Sequence, residues 1–225
     1  YSLPILPMAL GMWMLSVSNR FILFDLVGSY ELGVYAVAFK VAIGMRLFLS
    51  AYRVAWPHFS YQFIGRKEQT EVYATSMDYL IMVLVPMIVF LALFSDELIL
   101  ILSDDRYIVG SNLIPIIAVG ILFDGMNTIF STPFSSEKKL AKQVKPVLVS
   151  VIFTILLNYI LISFLGIMGG AIANSIGYLF LSFITYRSAS KVLYIKYHWV
   201  KILIPIVLLI IFLVFNVNVL KKADI

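Results

Sequence analysis

Polar residues divide this chain into apolar runs of roughly equal length, covering residues 3–27, 33–59, 72–94, 108–134, 144–165, 168–187 and 200–219. Each run is close to the roughly 20 residues that a helix needs to cross a hydrocarbon layer about 30 Å thick. Backbone groups in lipid must be satisfied within the segment, so the runs read as helices. The connections are short and polar, which predicts antiparallel neighbours in one compact bundle. The fold class is therefore all-α, a polytopic membrane helical bundle of about seven transmembrane helices. Pro86 and Pro115 inside runs, and Pro133 near the end of one, predict kinks or locally broken hydrogen bonding. Gly166 and Gly170 form a GxxxG at the turn into the sixth run, and Ala173 with Gly177 continues the small face, a pattern that predicts close helix packing.

Composition agrees. With 62% hydrophobic and 13% charged residues over 225 positions, a soluble domain of ordinary composition is excluded. The chain has no cysteine, which excludes a disulfide framework and thiolate metal sites. A net charge of +5 does not point to nucleic acid, because the basic residues lie in loops between runs, where topology and anionic lipid account for them. Arg66 and Lys67 fall in one such loop. Lys138, Lys139, Lys142 and Lys145 fall in the next, and Arg187, Lys191, Lys196 and Lys201 in a third. These loops are expected to be cytoplasmic. The alternate loops carry Glu31, then Asp96, Glu97, Asp104, Asp105 and Arg106, then no charge at Gly166, and are expected to face outside. The N-terminus of the first run is then cytoplasmic, while Lys221 and Lys222 would lie outside, against the rule. The sequence opens at Tyr1 with apolar residues at once and reads as a piece of a longer protein.

Charges inside the runs are the candidates for function, since an isolated cation at the centre of a membrane helix costs roughly 2.5 to 3.5 kcal/mol. The second run carries Lys40, Arg46 and Arg53. Arg46 is about halfway along it, roughly 20 Å of helix from either end. Arg53, seven residues later, projects from the same face nearer one interface, and Lys40 points elsewhere. Long stems allow Lys40 and Arg53 to reach the headgroups. For Arg46 a buried ion pair and contact with a ligand both stay open. The first run carries Asn19, Arg20 and Asp25, the latter two able to meet each other or the headgroups. In the fourth run Asp124 lies at the depth of Arg46, with Asn127 three residues on along the same face. A carboxylate there must be protonated or paired. Either Asp124 pairs with Arg46 across the bundle in a contact that a proton, a sodium ion or an anionic substrate opens, or the two form a permanent structural pair.

Other polar residues read as structural. Asn158 and Asn174 are expected to hydrogen-bond between helices. Trp56, Tyr194, Tyr197 and Trp199 fall at cytoplasmic ends, where an aromatic belt is the default. His58 and His198 lie at span ends with no metal-ligand spacing, and Asp104 with Asp105 reads as a solvated acidic loop. There is no Gly-rich phosphate loop and no GxSxG. No catalytic residue, metal or cofactor is expected, and the chain reads as a non-enzyme.

Two stretches carry a family resemblance. NYILISFLGIMGGAIANSIGYLF, residues 158–180, resembles the paired late helices of the polysaccharide or oligosaccharide flippases of bacterial cell envelopes, in the MATE-like MOP superfamily. SNRFILFDLVGSYELGVYAVAFKVA resembles the same family's acidic residue plus Arg, glycine-containing turn and G-x-Y-x-x-A. The likeness extends from residue 3 to about residue 191. It implies two six-helix lobes around a central cavity, of which residues 1–198 would be the C-terminal lobe and residues 199–225 an additional transmembrane helix. It further implies a multi-pass protein of the bacterial inner membrane that moves polyprenyl-diphosphate-linked oligosaccharide to the outer leaflet by alternating access. Arg20, Lys40, Arg46 and Arg53 would attract the diphosphate or acidic sugars, and Asp124, Asp25 and Asn127 would serve ion coupling or charge pairing. The partners implied are the lipid-linked oligosaccharide, membrane lipid, the missing N-terminal lobe or a second copy of this chain, and a polysaccharide polymerase. One departure is Asn19, which stands where many relatives carry an acid before Arg. The rival readings are a cation-coupled multidrug exporter of the same superfamily, for which the cavity is too positive, and a glycan ligase or polymerase, for which the outer loop near 95–107 is short. A third is a non-transporting scaffold.

Overall fold

The computed structural model describes residues 5–223, with side chains from residue 6 to residue 215. The described helices are α1 (Ile5–Leu26), α2 (Ser29–Ser60), α3 (Gln69–Leu93), α4 (Ser95–Leu102), α5 (Leu113–Phe130), α6 (Thr132–Ser136), α7 (Ala141–Ala189) and α8 (Trp199–Ala223). Five of them, α1, α2, α3, α5 with its α6 extension, and α7, are long and apolar enough to cross a membrane, and Trp199–Phe215 of α8 is a shorter apolar stretch. The side chains of Lys221 and Lys222 lie outside the described residues.

At 49 residues α7 would run for about 74 Å if straight, more than twice the hydrocarbon thickness. It does not. Gly166 takes φ 57° and ψ −136°, a conformation that only glycine adopts readily, and the chain turns back on itself there. The two arms, 141–165 and 167–189, then run side by side, with the Phe153 and Phe180 rings stacked 4.1 Å apart. The fifth and sixth apolar runs are thus the arms of one hairpin. Gly166 makes the turn rather than a packing face, and the close approach falls to Gly169, against the backbone of Leu161, and to Gly177, against Thr154.

Nearly every residue of α5 is buried, because it sits at the centre with α2, α3 and α7 around it. Ser175 and Ser182 of the second α7 arm donate to the carbonyls of Ile116 and Phe123, each at 2.6 Å, and fix that arm to α5. These serines make the interhelical bonds expected of Asn158, whose amide donates instead to the Thr154 carbonyl of its own helix at 2.9 Å, a reach of one turn open to any asparagine. Pro115 falls in the first turn of α5, where no backbone donor is needed, so it does not interrupt a helix as expected, whereas the break at Ser131 between α5 and α6 falls beside Pro133, as expected. A 3-10 turn from Asp105 to Gly110 precedes α5, and Asp104 caps it by accepting from the Arg106 backbone at 3.2 Å and from its guanidinium at 3.1 Å. The guanidinium holds the Asp104 carboxyl below the usual carboxylate range.

α1 lies on α7, and α8 on α3. The α8 contact closes through His198, whose Nδ1 is 2.7 Å from Asp78 Oδ2, with Lys201 Nζ at 3.7 Å from the same oxygen. His198→Ala should cost about 1 kcal/mol by leaving half-buried Asp78 with only this distant lysine. Thermal unfolding in detergent checks this, with Lys201→Ala as the milder comparison. Beside it, Phe130, Tyr186, Tyr197 and Trp199 form a ring cluster with centroids 5.0 to 6.3 Å apart. Tyr197 and Trp56 are therefore core residues and not belt residues as expected, the Trp56 indole donating to Thr132 Oγ1 at 2.8 Å. Burial in that cluster pushes the Tyr197 phenol above its ordinary value. Tyr194 is exposed, as a belt residue would be.

Candidate functional site

α2 and α5 run parallel, since Val34 lies against Gly110, Leu49 against Gly125 and Trp56 against Thr132. Helical side chains lean toward the N-terminus of their helix. That lean decides which arginine meets the buried acid. Arg53 leans back toward the middle of the bundle, and its Nη2 lies 2.6 Å from Asp124 Oδ1. Its Nε donates to Thr128 Oγ1 at 3.1 Å and its Nη2 to the Asp124 carbonyl at 3.3 Å. The pair expected between Asp124 and Arg46 is therefore made by Arg53, whose guanidinium turns toward α5. The Asp124 side chain is only 4% exposed, whereas that of Arg53 is 39% exposed.

Arg46 does not reach ion-pair distance of Asp124. Its Nη2 donates to Tyr178 Oη at 3.2 Å, and its guanidinium carbon lies 5.2 Å from the centroid of the Phe39 ring. Arg20, from α1, brings its own guanidinium carbon to 4.7 Å from the same ring. Two cations thus share one aromatic surface at the seam of α1 and α2, a favourable placement for each that also sets two like charges near one another. Among the described residues, no carboxylate lies within ion-pair distance of either, and the Nε of each is buried without an acceptor. The space between Phe39, Arg46, Gly120 and Tyr178 is about 10 Å³, enough for one water and too small for a sugar.

The remaining expected residues are not drawn into this cluster. Lys40 is exposed, on the face of α2 that also presents Gly44, Leu47 and Ala51. Asp25 is exposed at the end of α1 and forms no ion pair with Arg20 among the described residues. Asn127 is buried one turn beyond Asp124 with its side-chain oxygen unpartnered. Asn19 is buried and donates to Tyr35 Oη at 2.5 Å, so it holds the seam by a neutral hydrogen bond.

Phe39 and Tyr178 were not among the expected site residues. Phe39 sits seven residues before Arg46, on the Arg46–Arg53 face, which is a readable signal. Tyr178 carries no such mark, since its meeting with Arg46 depends on the turn at Gly166.

Comparison with curated proteins and with solved structures gives no match. A protein-family model described as MatE matches residues 4–162, which takes in α1 to α6 and the greater part of the first α7 arm. Members of that family are transporters. On this match, and with several helices fit to cross a membrane, the chain belongs to the MatE family and is a multi-pass membrane transporter.

Proposed function

We propose that this transporter flips polyprenyl-diphosphate-linked oligosaccharide from the inner to the outer leaflet of a bacterial cytoplasmic membrane by alternating access, as the C-terminal lobe of a two-lobed protein. The observation that carries the reading is the pair Arg20 and Arg46 on Phe39, two cations within the bundle with no carboxylate at ion-pair distance among the described residues. A diphosphate supplies that missing charge, and guanidinium groups match its oxygens in bidentate geometry. The headgroup enters on the α1–α2 side while the lipid tail stays in the bilayer. Residues 61–68, 137–140 and 190–198 face the cytoplasm, following the basic residues.

The drug-exporter alternative asks for an acid free to meet an organic cation, and the one buried carboxylate near the arginines among the described residues is held by Arg53. Binding of a diphosphate lipid against an organic cation by the full-length protein separates the two readings.

Glycan export in a flippase-deficient strain tests the proposal. Arg46→Ala in the full-length protein should lower export about 10- to 100-fold at unchanged membrane abundance, the loss of one charge-assisted hydrogen bond. Arg46→Lys should recover part of it. Normal export by Arg46→Ala would make this charge structural and remove the argument for the cargo.

A further inference from the structure

The two arms of α7 part at the end where the basic loops gather. They leave a cleft of about 490 Å³, lined by Lys142, Lys145, Pro146 and Val149 of the first arm and by Ile184 and Ser188 of the second, with Lys191 at its edge. All three lysines are exposed, and none forms an ion pair among the described residues. Glu137, the acid nearest in sequence, is not paired with them either. Lys142 and Lys145 occupy the first turns of a helix, so the helix dipole adds to the positive potential.

The walls beyond the lysines are apolar. Ile152 and Leu156 on the first arm and Phe183 on the second continue from the cleft along the hairpin, each more than half exposed. A soluble anion would use only the lysines. An amphiphile with a phosphate at one end and acyl chains at the other uses both surfaces. Basic pockets between transmembrane helices on the side of the basic loops suit such headgroups. We infer that this cleft holds an anionic glycerophospholipid, its phosphate among Lys142, Lys145 and Lys191 and an acyl chain along Ile152 and Leu156. The site is separate from the arginines. Ser188 lies ten residues along the second arm from Tyr178, about 15 Å of helix, so the inference does not depend on the nature of the cargo.

Native mass spectrometry of the full-length protein, purified in mild detergent and given phosphatidylglycerol or phosphatidylcholine at equal concentration, tests this. Phosphatidylglycerol should be retained preferentially, and K142Q/K145Q/K191Q should weaken that retention by about 100-fold, at about fivefold per lysine. Should the triple variant elute as an aggregate, Lys191→Gln alone, beyond the end of α7, carries the test with an expected loss of about fivefold. Arg66→Gln with Lys67→Gln, in another basic loop, should leave retention unchanged. Equal retention of the two lipids, or an equal loss in the Arg66/Lys67 variant, would reduce the cleft to general surface charge and overturn the inference. Displacement by millimolar inorganic phosphate, or by equimolar polyprenyl diphosphate, would assign it to a phosphate or to the cargo and overturn it as well.

Discussion

Arg53→Ala should destabilise the protein by about 3–5 kcal/mol, while Asp124→Asn should cost about 1 kcal/mol or less. The asymmetry follows from burial. Asp124 is 4% exposed and Arg53 is its only cationic partner within ion-pair distance among the described residues, so removing the arginine leaves a carboxylate shielded from water with no cation at ion-pair distance. Arg53 is 39% exposed, and after Asp124→Asn it keeps access to water and its bond to Thr128. The double variant Arg53→Gln with Asp124→Asn should restore most of the stability by replacing an ion pair with neutral amides. Thermal unfolding in detergent, read by size-exclusion elution, measures all three. Equal costs for the two single variants would mean that the carboxylate is not held as a buried charge. Transport distinguishes the roles of the pair. If Asp124→Asn transports normally with its ion dependence intact, the pair is structural, and opening it is no part of coupling.

The second large effect falls on the α7 hairpin. Gly169→Ala should cost about 4 kcal/mol or more and deplete the folded protein from the membrane, because the added methyl group would land on the carbonyl oxygen of Leu161. Backbone cannot yield as a side chain does, and both chains belong to one hairpin fixed by Gly166. Gly170→Ala is the matched control. Its nearest neighbour is the Leu23 side chain at 3.2 Å, which can shift, so the cost should be no more than about 1 kcal/mol. Membrane abundance and monodispersity of the two variants give the comparison. Similar yields would show that the arms do not approach as closely as Gly169 and Leu161 indicate.

The helical runs were legible because lipid leaves the backbone no alternative to internal hydrogen bonding, and their period needs no knowledge of the neighbours. The limits near 3–27, 33–59 and 72–94 fall close to α1, α2 and α3 for this reason. The fourth apolar run begins before the helix it predicts. Residues 108–112 are apolar enough to pass for helix, but they belong to the 3-10 turn and the short link before α5, packed against the start of α2 at Val34. The Arg46–Asp124 pairing failed on a different point. Depth along the two runs placed the residues level, yet depth counts Cα positions, and a long side chain leaning one turn toward its helix N-terminus moves the charge by several ångströms. Trp56 and Tyr197 failed similarly. Their places near span ends suit a belt, and only the packing of α6 and the residues before α8 around them shows that they are enclosed.

What the sequence by itself determined is the membrane class, the apolar helices, the gathering of basic residues in alternate loops, and the presence of cations and acids inside the spans. These follow from local composition and from the cost of exposing backbone or charge to hydrocarbon. Only the tertiary structure decided which charges meet. The fold of α7 at Gly166 brings Tyr178 to Arg46, the register of α2 beside α5 gives Asp124 to Arg53, and the crossing of α1 sets Arg20 on the Phe39 ring. A partner across a bundle depends on axial stagger and rotation between helices, and these are fixed by packing over the whole interface rather than by the residues that end up in contact.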